Sequence, residues 1–333
     1  MNPSHHPSHA LIPSPGELED LLELESTSTH YGVFDHSLLG PLSEFLSAGG
    51  KKFRSELIEI GFLYGGGKLN VSQANRIQIA SQIIEAIHAG SMIIDDIQDQ
   101  SEIRRDKPTL HRKYGLALAL NAGNWLYFQA LQLIEKLELD SAQELKLRRY
   151  FNKIFLRAHF GQAVDVGTPM PLLPQSQVQS VCFTSMELKT GALMALAFDL
   201  GTYLAQTDQL PIPDGTRFAR NFGIALQMFD DIGNFYSPPP KGKEDIRNGR
   251  PSFIWAVAAQ IANEADYARF IHAAQMLPNE SFIISWAELF NLKSEAKTRA
   301  SQYLWNTLEK GRFGANLQDR VESLLIKLEN SYV

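Results

Sequence analysis

Apolar residues recur along most of the chain at the three- and four-residue spacing that is typical of α-helices. The pattern predicts long helices over residues 71–100, 116–139, 142–166, 177–205 and 216–235. Shorter helices are predicted over residues 253–276, 282–290, 293–310 and 317–330. No stretch of strict alternation bounded by turn residues predicts a sheet. We therefore expect an all-α helical bundle, with residues 81–94 buried at its centre.

The domain organisation predicted from the sequence is one domain preceded by a short arm. No break between the predicted helices looks like a linker, so we expect a single domain over residues 16–333. Residues 1–15 are rich in proline, serine and histidine, which predicts a flexible arm.

Charge and composition exclude several classes of partner. The net charge of −6 argues against nucleic acid. No run of eighteen apolar residues occurs, so we expect no stable membrane insertion. The single cysteine, Cys182, fits a reducing cytoplasm.

The first chemical signal is the segment DDIQD (95–99) at the end of an apolar helix. Asp95 and Asp99 face the same way on a helix, where like charges repel. A cation between them would offset the repulsion, and such carboxylates suit Mg²⁺, which also takes substrate phosphate oxygens. A solvated acidic helix end is the alternative, although acids there oppose the helix dipole. The spacing alone leaves both interpretations open.

A second polar stripe ends another apolar helix. Gln227, Asp230, Asp231 and Asn234 lie at helical spacings of three and four. Alone, this stripe fits a hydrogen-bonded surface somewhat better than a site. Two such clusters on separate buried helices favour a metal site over a surface stripe. If they faced each other, they would hold several Mg²⁺ ions around a diphosphate.

Basic residues accompany the two clusters. The segment GGKKFR (49–54) lies where a loop enters a helix, which is a natural anion site. Arg104 and Arg105 follow the first cluster, His88 lies one helical face above Asp95, and a buried-looking Lys189 interrupts an apolar helix. Each residue has an ordinary structural explanation. Together they predict metal ions for one diphosphate and cationic side chains for another.

These motifs resemble the trans-polyprenyl synthase family over about residues 40–255. The stretch IEAIHAGSMIIDDIQDQSEIRRDKPTLHRKYG (84–115) is similar, nearly end to end, to the family's first aspartate-rich region. Similarity to the motifs GGKRxRP, GQxxD, Lys-Thr and FQxxDDxxD is found in GGKKFRS (49–55), GQAVD (161–165), LKTG (188–191) and LQMFDDIGN (226–234). The resemblance implies the isoprenoid synthase fold, with long buried helices around a cavity, and a homodimer.

The resemblance also implies roles for the matching residues. The expected Mg²⁺ ligands are Asp95, Asp99 and Asp230, supported by Asp96 and Asp231. The expected contacts of the allylic diphosphate are Arg104, Lys189 and Arg250. The expected contacts of isopentenyl diphosphate are Lys51, Arg54, His88 and Arg105. The catalytic candidates are Lys189, Thr190 and Gln227, with Asp165 also along the path of the allylic cation.

The implied reaction extends an allylic diphosphate with isopentenyl diphosphate. Mg²⁺ would neutralise the leaving diphosphate. The allylic cation would form in a cavity that excludes water. The double bond of isopentenyl diphosphate would attack it, and the departing diphosphate is the expected base. The protein's main contribution would be positioning.

Several positions depart from the family pattern, including Ser55 for proline and Leu226 for phenylalanine, and two alternatives to a synthase stay open. Asn234 replaces the last aspartate of the second motif, the loop PPPKGKED (238–245) is shortened, and Arg250 replaces a lysine. Lys241 or Lys243 would stand in for the loop lysine. One alternative is a class I terpene cyclase, which would not need the second diphosphate site. The other is a non-catalytic regulatory subunit.

Product length is expected to depend on Ser91 and Gly90, four and five residues before Asp95. In this family a large aromatic at the position of Gly90 acts as a floor, which glycine would leave open. Tyr127 or Phe128 could plug the tunnel further along. An isoprene unit of about 4–5 Å is close to one helical turn of about 5.4 Å. We therefore predict a geranylgeranyl product.

Overall fold

The computed structural model describes residues 11–24, 28–47, 52–205, 209–238 and 242–332. The helices are α1 (Pro15–Leu22), α2 (Ser28–Phe34), α3 (Gly40–Leu46), α4 (Phe53–Tyr64), α5 (Val71–Gln98), α6 (Leu110–Tyr114), α7 (Leu116–Gln132), α8 (Ser141–Gly167), α9 (Gln175–Met186), α10 (Ala192–Leu204), α11 (Pro213–Phe235), α12 (Glu244–Arg247), α13 (Phe253–Ile261), α14 (Glu264–Gln275), α15 (Ser281–Leu289), α16 (Leu292–Trp305), α17 (Leu308–Gly311) and α18 (Ala315–Asn330). Helical turns of other types lie at Asp35–Leu39, Leu133–Leu137, Met170–Leu172 and Glu187–Gly191. The predicted all-α class is confirmed.

The chain divides into two compact units. The first unit comprises residues 1–55 and 69–148, and the second comprises residues 56–68 and 149–333. The division falls within α4 and α8. The single domain over residues 16–333 and the arm over residues 1–15 stay predictions, and residues 1–10 of that arm lie outside the described residues.

Helix α5 is the central element of the first unit. Asn70 caps the N-terminus of this helix, because its side chain accepts a hydrogen bond from the Gln73 N–H. The helix is 28 residues long. None of residues 81–94 is exposed, as the apolar pattern predicts. Its buried isoleucines include Ile83, Ile84 and Ile93. Burying each such side chain contributes about 1.5–3 kcal/mol, so packing rather than propensity stabilises this helix.

A short hairpin follows α5. Strands β1 (Ile103–Arg104) and β2 (Lys107–Pro108) pair antiparallel, with Arg104 opposite Lys107. The two residues of the turn, Arg105 and Asp106, have φ values of 51° and 62°, as a type I′ turn requires. The expectation of no sheet is wrong for this hairpin, because strands of two residues are too short to show an alternating pattern.

Helix α11 is the central element of the second unit. Proline at its first position suits the helix start, where an N–H would have no partner within the helix. It packs on α10, α13, α16, α17 and the π-helical turn Glu187–Gly191. Every residue of helix α10 except Leu193 is buried. Both α10 and α11 therefore contribute to the core of the second unit.

The π-helical turn is approached closely by two helices at glycines. A Cβ atom on Gly223 of α11 would lie 2.8 Å from the Thr190 carbonyl oxygen. A Cβ atom on Gly161 of α8 would lie 2.7 Å from Leu188 Cβ. Only glycine permits both approaches, and π-helical turns often occur at functional sites.

Several helix boundaries differ from the sequence expectation. The predicted helix over residues 253–276 is two helices, because Asn263 caps α14 by accepting from the Asp266 N–H. The helix predicted over residues 293–310 ends at Trp305, and α17 follows separately. The predicted helix over residues 177–205 contains the π-helical turn. Of the helices before residue 65, only the start of α4 was expected, where the segment GGKKFR (49–54) enters a helix.

Two helical stretches are long and apolar enough to cross a membrane by length and composition. They are Val71–Gln98 and Gln175–Leu204, and 56% of the tested window of each is buried inside the fold. Core helices of folded proteins have the same property. The absence of stable membrane insertion stays a prediction.

Candidate active site

The first aspartate motif lies at the C-terminal end of α5. Asp99 ends the helix, and its N–H donates to the Asp95 carbonyl oxygen at 2.9 Å. Asp95 and Asp99 are partly buried, whereas Asp96 is buried. At 100° per residue these aspartates lie on one side of α5 with His88 and Glu85. The second half of α5, which is mostly apolar, therefore carries these side chains on one face.

Asp96 is held by Arg104 through a two-oxygen contact. Arg104 Nε lies 2.8 Å from Oδ1 and 2.7 Å from Oδ2, and Nη2 lies 2.7 Å from Oδ1. Burial raises the pKa of Asp96, and the guanidinium partly offsets that rise. Arg104, expected at the allylic diphosphate, is thus fixed beside the motif by Asp96.

A group of cationic side chains lies close to this motif within the first unit. The charges of Arg54, Arg104 and Arg105 all act on His88. Burial, followed by these charges, lowers the pKa of His88 well below its usual range, so the imidazole is neutral at pH 7. Burial and the charges of Arg104 and Arg54 also lower the pKa of Arg105. The structure therefore brings together three of the four residues expected at isopentenyl diphosphate. The fourth, Lys51, lies outside the described residues.

Glu85 is a residue of this group that the sequence reasoning missed. Arg54 Nε donates to Glu85 Oε1 at 2.9 Å. A signal was present in the sequence, because Glu85 lies three residues before His88 on the same face of an apolar helix.

The second aspartate motif lies at the end of α11. Its buried carboxylate, Asp231, accepts hydrogen bonds from neutral donors, whereas Asp96 of the first motif pairs with an arginine. Asp231 Oδ1 accepts from Gln227 Nε2 at 2.7 Å, and Oδ2 accepts from the Phe253 N–H at 2.6 Å. Burial raises the pKa of Asp231, the two hydrogen bonds oppose the rise, and the charges of Asp230 and Asp165 add to it. Asn234 Nδ2 lies 3.4 Å from Asp230 Oδ2, one turn earlier.

The π-helical turn presents the two other catalytic candidates. Lys189 Nζ lies 2.8 Å from Asp165 Oδ2, while Asp165 Oδ1 accepts from Ser185 Oγ at 3.0 Å. Thr190 Oγ1 donates to Gln227 Oε1 at 2.7 Å. A continuous chain of hydrogen bonds therefore runs from Thr190 through Gln227 to Asp231 within the second unit.

The two other predicted cations of the second unit contact protein groups. Arg250 Nη1 donates to the Val166 carbonyl oxygen at 2.8 Å. Lys243 is only 6% exposed and pairs with Glu280 at 2.7 Å. That pairing gives Lys243 a structural partner, whereas Lys241 lies outside the described residues.

Comparison with known proteins assigns the family. The model of the polyprenyl synthetase family matches residues 35–281.

The chain belongs to the polyprenyl synthetase family.

Individual relatives agree with this assignment. A geranylgeranyl diphosphate synthase of Sulfolobus acidocaldarius is 30% identical over 272 residues, covering 79% of this chain and 78% of the relative. A geranylgeranyl pyrophosphate synthetase structure from Pyrococcus horikoshii Ot3 has a TM-score of 0.71 at 23% identity, covering 90% of this chain and 93% of that one. A polyprenyl synthase structure from Caulobacter crescentus CB15, complexed with calcium and isoprenyl diphosphate, has a TM-score of 0.71 at 18% identity, covering 98% and 95%. These two structures share the fold of this polyprenyl synthetase.

Gly90 differs from its expected place in the polyprenyl synthetase site. A Cβ atom on Gly90 would lie 2.8 Å from the Gly123 carbonyl oxygen and 3.5 Å from Tyr127 Cε1. Gly90 therefore faces a close crossing with α7 and does not leave an open floor. Ser91 is partly buried and donates to the His88 carbonyl oxygen, while Phe128 is 70% exposed. Of the two expected plugs, Tyr127 is the one beside α5.

The donor set fits Mg²⁺ of the kind that binds with substrate. Among the described residues, no three acidic, histidine or cysteine side chains form a complete metal site. Mg²⁺ usually binds through one or two carboxylates plus waters and substrate phosphates. The first motif supplies Asp95 and Asp99, and the second supplies Asp230 beside the amide of Asn234. Each motif therefore offers such a partial ligand set.

Proposed function

We propose that this polyprenyl synthetase condenses an allylic diphosphate with isopentenyl diphosphate to a longer all-trans prenyl diphosphate. Family membership supports the reaction class. The observation that carries the proposal is that the cations Arg54 and Arg105 lie beside the neutral His88 within the unit that contains the first aspartate motif. A synthase needs a second diphosphate site, whereas a class I terpene cyclase ionises one diphosphate only.

The aspartates are assigned to the allylic diphosphate. Asp95, Asp99 and Asp230 would hold Mg²⁺, which neutralises the leaving diphosphate when bound. Asp96 fixes Arg104 beside the motif, so its guanidinium can contact the same diphosphate. Asp231 holds Gln227 in place through a 2.7 Å hydrogen bond.

The remaining residues orient the reacting groups. The oxygen atoms of Thr190 and Gln227 carry partial negative charge and are assigned to the path of the allylic cation. Lys189, held by Asp165, and Arg250 are assigned to the allylic diphosphate. The neutral His88 can donate one N–H to isopentenyl diphosphate beside Lys51, Arg54 and Arg105. The departing diphosphate is the proposed base for the final proton.

We propose a geranylgeranyl product, which the names of relatives support. The ring of Tyr127 next to Gly90 is the proposed plug of the tunnel, and Ser91, the next residue of α5, is the proposed wall residue. Tyr127→Ala should lengthen the product by at least one isoprene unit. Phe282→Ala is the matched control, since the ring of Phe282 is exposed on α15 and should not affect chain length. Identical product distributions in wild type and Tyr127→Ala would remove Tyr127 from the wall.

We also propose a cytoplasmic homodimer. Leu116, Leu120 and Phe128 form an exposed apolar face on α7, and Leu156 with Phe160 forms one on α8. Phe128→Glu should shift the mass measured by light scattering from two chains to one, and Glu135→Gln serves as a polar control. A wild-type mass of one chain would contradict the dimer.

The decisive experiment is a product assay by mass spectrometry. The protein is incubated with farnesyl diphosphate and Mg²⁺, with and without isopentenyl diphosphate. We expect a longer prenyl diphosphate only when both substrates and Mg²⁺ are present. Release of a hydrocarbon or alcohol without isopentenyl diphosphate would favour the terpene cyclase. No product under any condition would favour the regulatory subunit.

A further inference from the structure

Glu85 is a carboxylate inside the cationic group, and no role assigned so far accounts for it. Its Oε1 accepts from Arg54 Nε at 2.9 Å, and the two side chains are 33% and 12% exposed. Its charge also acts on Arg105. A negative charge in a site for a diphosphate is unfavourable by itself, because like charges repel. Its position therefore calls for a compensating benefit.

We propose that Glu85 is a positioning residue for isopentenyl diphosphate, which acts by holding the guanidinium of Arg54. The inference rests on the proposed function, because that function assigns Arg54 to this substrate. Arg54 is the second residue of α4, and its long side chain has many rotamers. The contact with Glu85 uses Nε, one of five N–H groups on the guanidinium, so the Nη groups can donate to a diphosphate.

Repulsion among neighbouring cations explains why Arg54 needs this contact. Arg54, Arg104 and Arg105 are close enough that their charges act on one histidine, His88. Asp96 balances Arg104, and Glu85 in the same way balances Arg54. Without Glu85, repulsion from the other two arginines would favour rotamers that turn Arg54 towards solvent. Two carboxylates of α5 thus fix one arginine each.

If Glu85 positions Arg54, removing it should weaken the binding of isopentenyl diphosphate. If Glu85 acts only by charge repulsion, removing it should strengthen that binding. The carboxylate of Glu85 is already paired with Arg54, so an incoming diphosphate meets a nearly neutral pair, and solvent screens what remains. We therefore expect positioning to dominate and removal to weaken binding.

The test is calorimetric titration of isopentenyl diphosphate into the full-length protein in Mg²⁺ buffer. Glu85→Ala should weaken binding about 10-fold, whereas Glu85→Gln should stay within about 3-fold because its amide oxygen still accepts from Arg54. Glu144→Gln is the control, because Glu144 also pairs with an arginine, Arg148, and its side chain is 29% exposed against 33% for Glu85. In steady-state assays the KM for the allylic diphosphate should stay unchanged in every variant.

A double-mutant cycle tests whether Glu85 acts through Arg54. Once Arg54→Ala is in place, adding Glu85→Ala should weaken binding no further. Independent, additive effects would overturn the proposal, as would equal or tighter binding by Glu85→Ala. If wild type binds isopentenyl diphosphate and the variants behave as expected, but no chain is elongated, the proposed function fails and the role of Glu85 stands. If wild type does not bind it, both fail.

Discussion

The two aspartate motifs share a pair of adjacent aspartates but stabilise the buried member of the pair in different ways. In the first motif, Asp96 faces the guanidinium of Arg104. In the second, Asp231 faces neutral donors, the amide of Gln227 and the N–H of Phe253. A guanidinium favours the charged carboxylate more strongly than a neutral donor does. Similar sequence motifs therefore create different electrostatic surroundings, which the sequence pattern does not reveal.

The largest expected effect is a loss of kcat, and it should be the same for a metal ligand of either motif. Asp95→Ala or Asp230→Ala should each lower kcat on the order of 1,000-fold, since losing a metal ligand removes several kcal/mol of stabilisation of the leaving diphosphate. Far-ultraviolet circular dichroism should stay unchanged. Asp319→Ala, at an exposed position of α18, is the control. Turnover near wild type in either variant would exclude that aspartate as a ligand.

The sequence predicted the long helices and both motifs because helical periodicity and short motifs are local properties. It did not predict the hairpin that places Arg104 and Arg105, because strands of two residues carry no periodic signal. It also placed Gly90 in an open tunnel. The position of Gly90 around α5 follows from its number in the helix, but the approach of Gly123 depends on tertiary packing. Partners such as Glu85 for Arg54, 31 residues apart, likewise arise only in the folded chain.

The free energy of unfolding should distinguish a buried aspartate paired with an arginine, as in the first motif, from one bound by neutral donors, as in the second. Arg104→Ala leaves Asp96 buried without its guanidinium and should cost about 2 kcal/mol, less than a fully buried pair because Arg104 is 25% exposed. Gln227→Ala removes one neutral donor from Asp231 and should cost about 1 kcal/mol. Urea denaturation measures both. Arg112→Ala, from an exposed pair with Glu102, should cost less than about 0.5 kcal/mol. If Gln227→Ala lost more stability than Arg104→Ala, the neutral donors would stabilise their buried aspartate more than the guanidinium does.

Asp199 tests the neutral-donor arrangement away from the candidate metal ligands. This buried carboxylate accepts from the Tyr150 hydroxyl, from Thr216 Oγ1 at 2.5 Å and from the Ile212 backbone. Burial raises its pKa to about 6, opposed by these hydrogen bonds and by the nearby charge of Arg220. The folded state therefore keeps a proton that the unfolded state loses above about pH 4.

The sign of the resulting pH dependence follows from proton linkage. Between about pH 4 and about pH 6 the folded state binds more protons at this site, so its contribution to the free energy of unfolding falls as pH rises. Asp199→Asn cannot titrate. It should be less stable than wild type at pH 4, and the difference should narrow by about 1–3 kcal/mol by pH 7. A constant difference across this range in urea denaturation would mean that the pKa of Asp199 is not raised.

The smallest expected effect concerns Asn234, where the second motif departs from the family pattern. Asn234 Nδ2 lies 3.4 Å from Asp230 Oδ2, so Asn234→Asp replaces a donor by a second carboxylate one turn away. Without Mg²⁺ the two charges repel and should lower stability by about 0.5 kcal/mol. With Mg²⁺ the added carboxylate should bind more strongly than an amide, so the Mg²⁺ concentration for half-maximal rate should fall about threefold. Asn234→Ala controls for loss of the hydrogen bond and should raise that concentration. If Asn234→Asp lost the stability but gained no affinity for Mg²⁺, residue 234 would not face the metal.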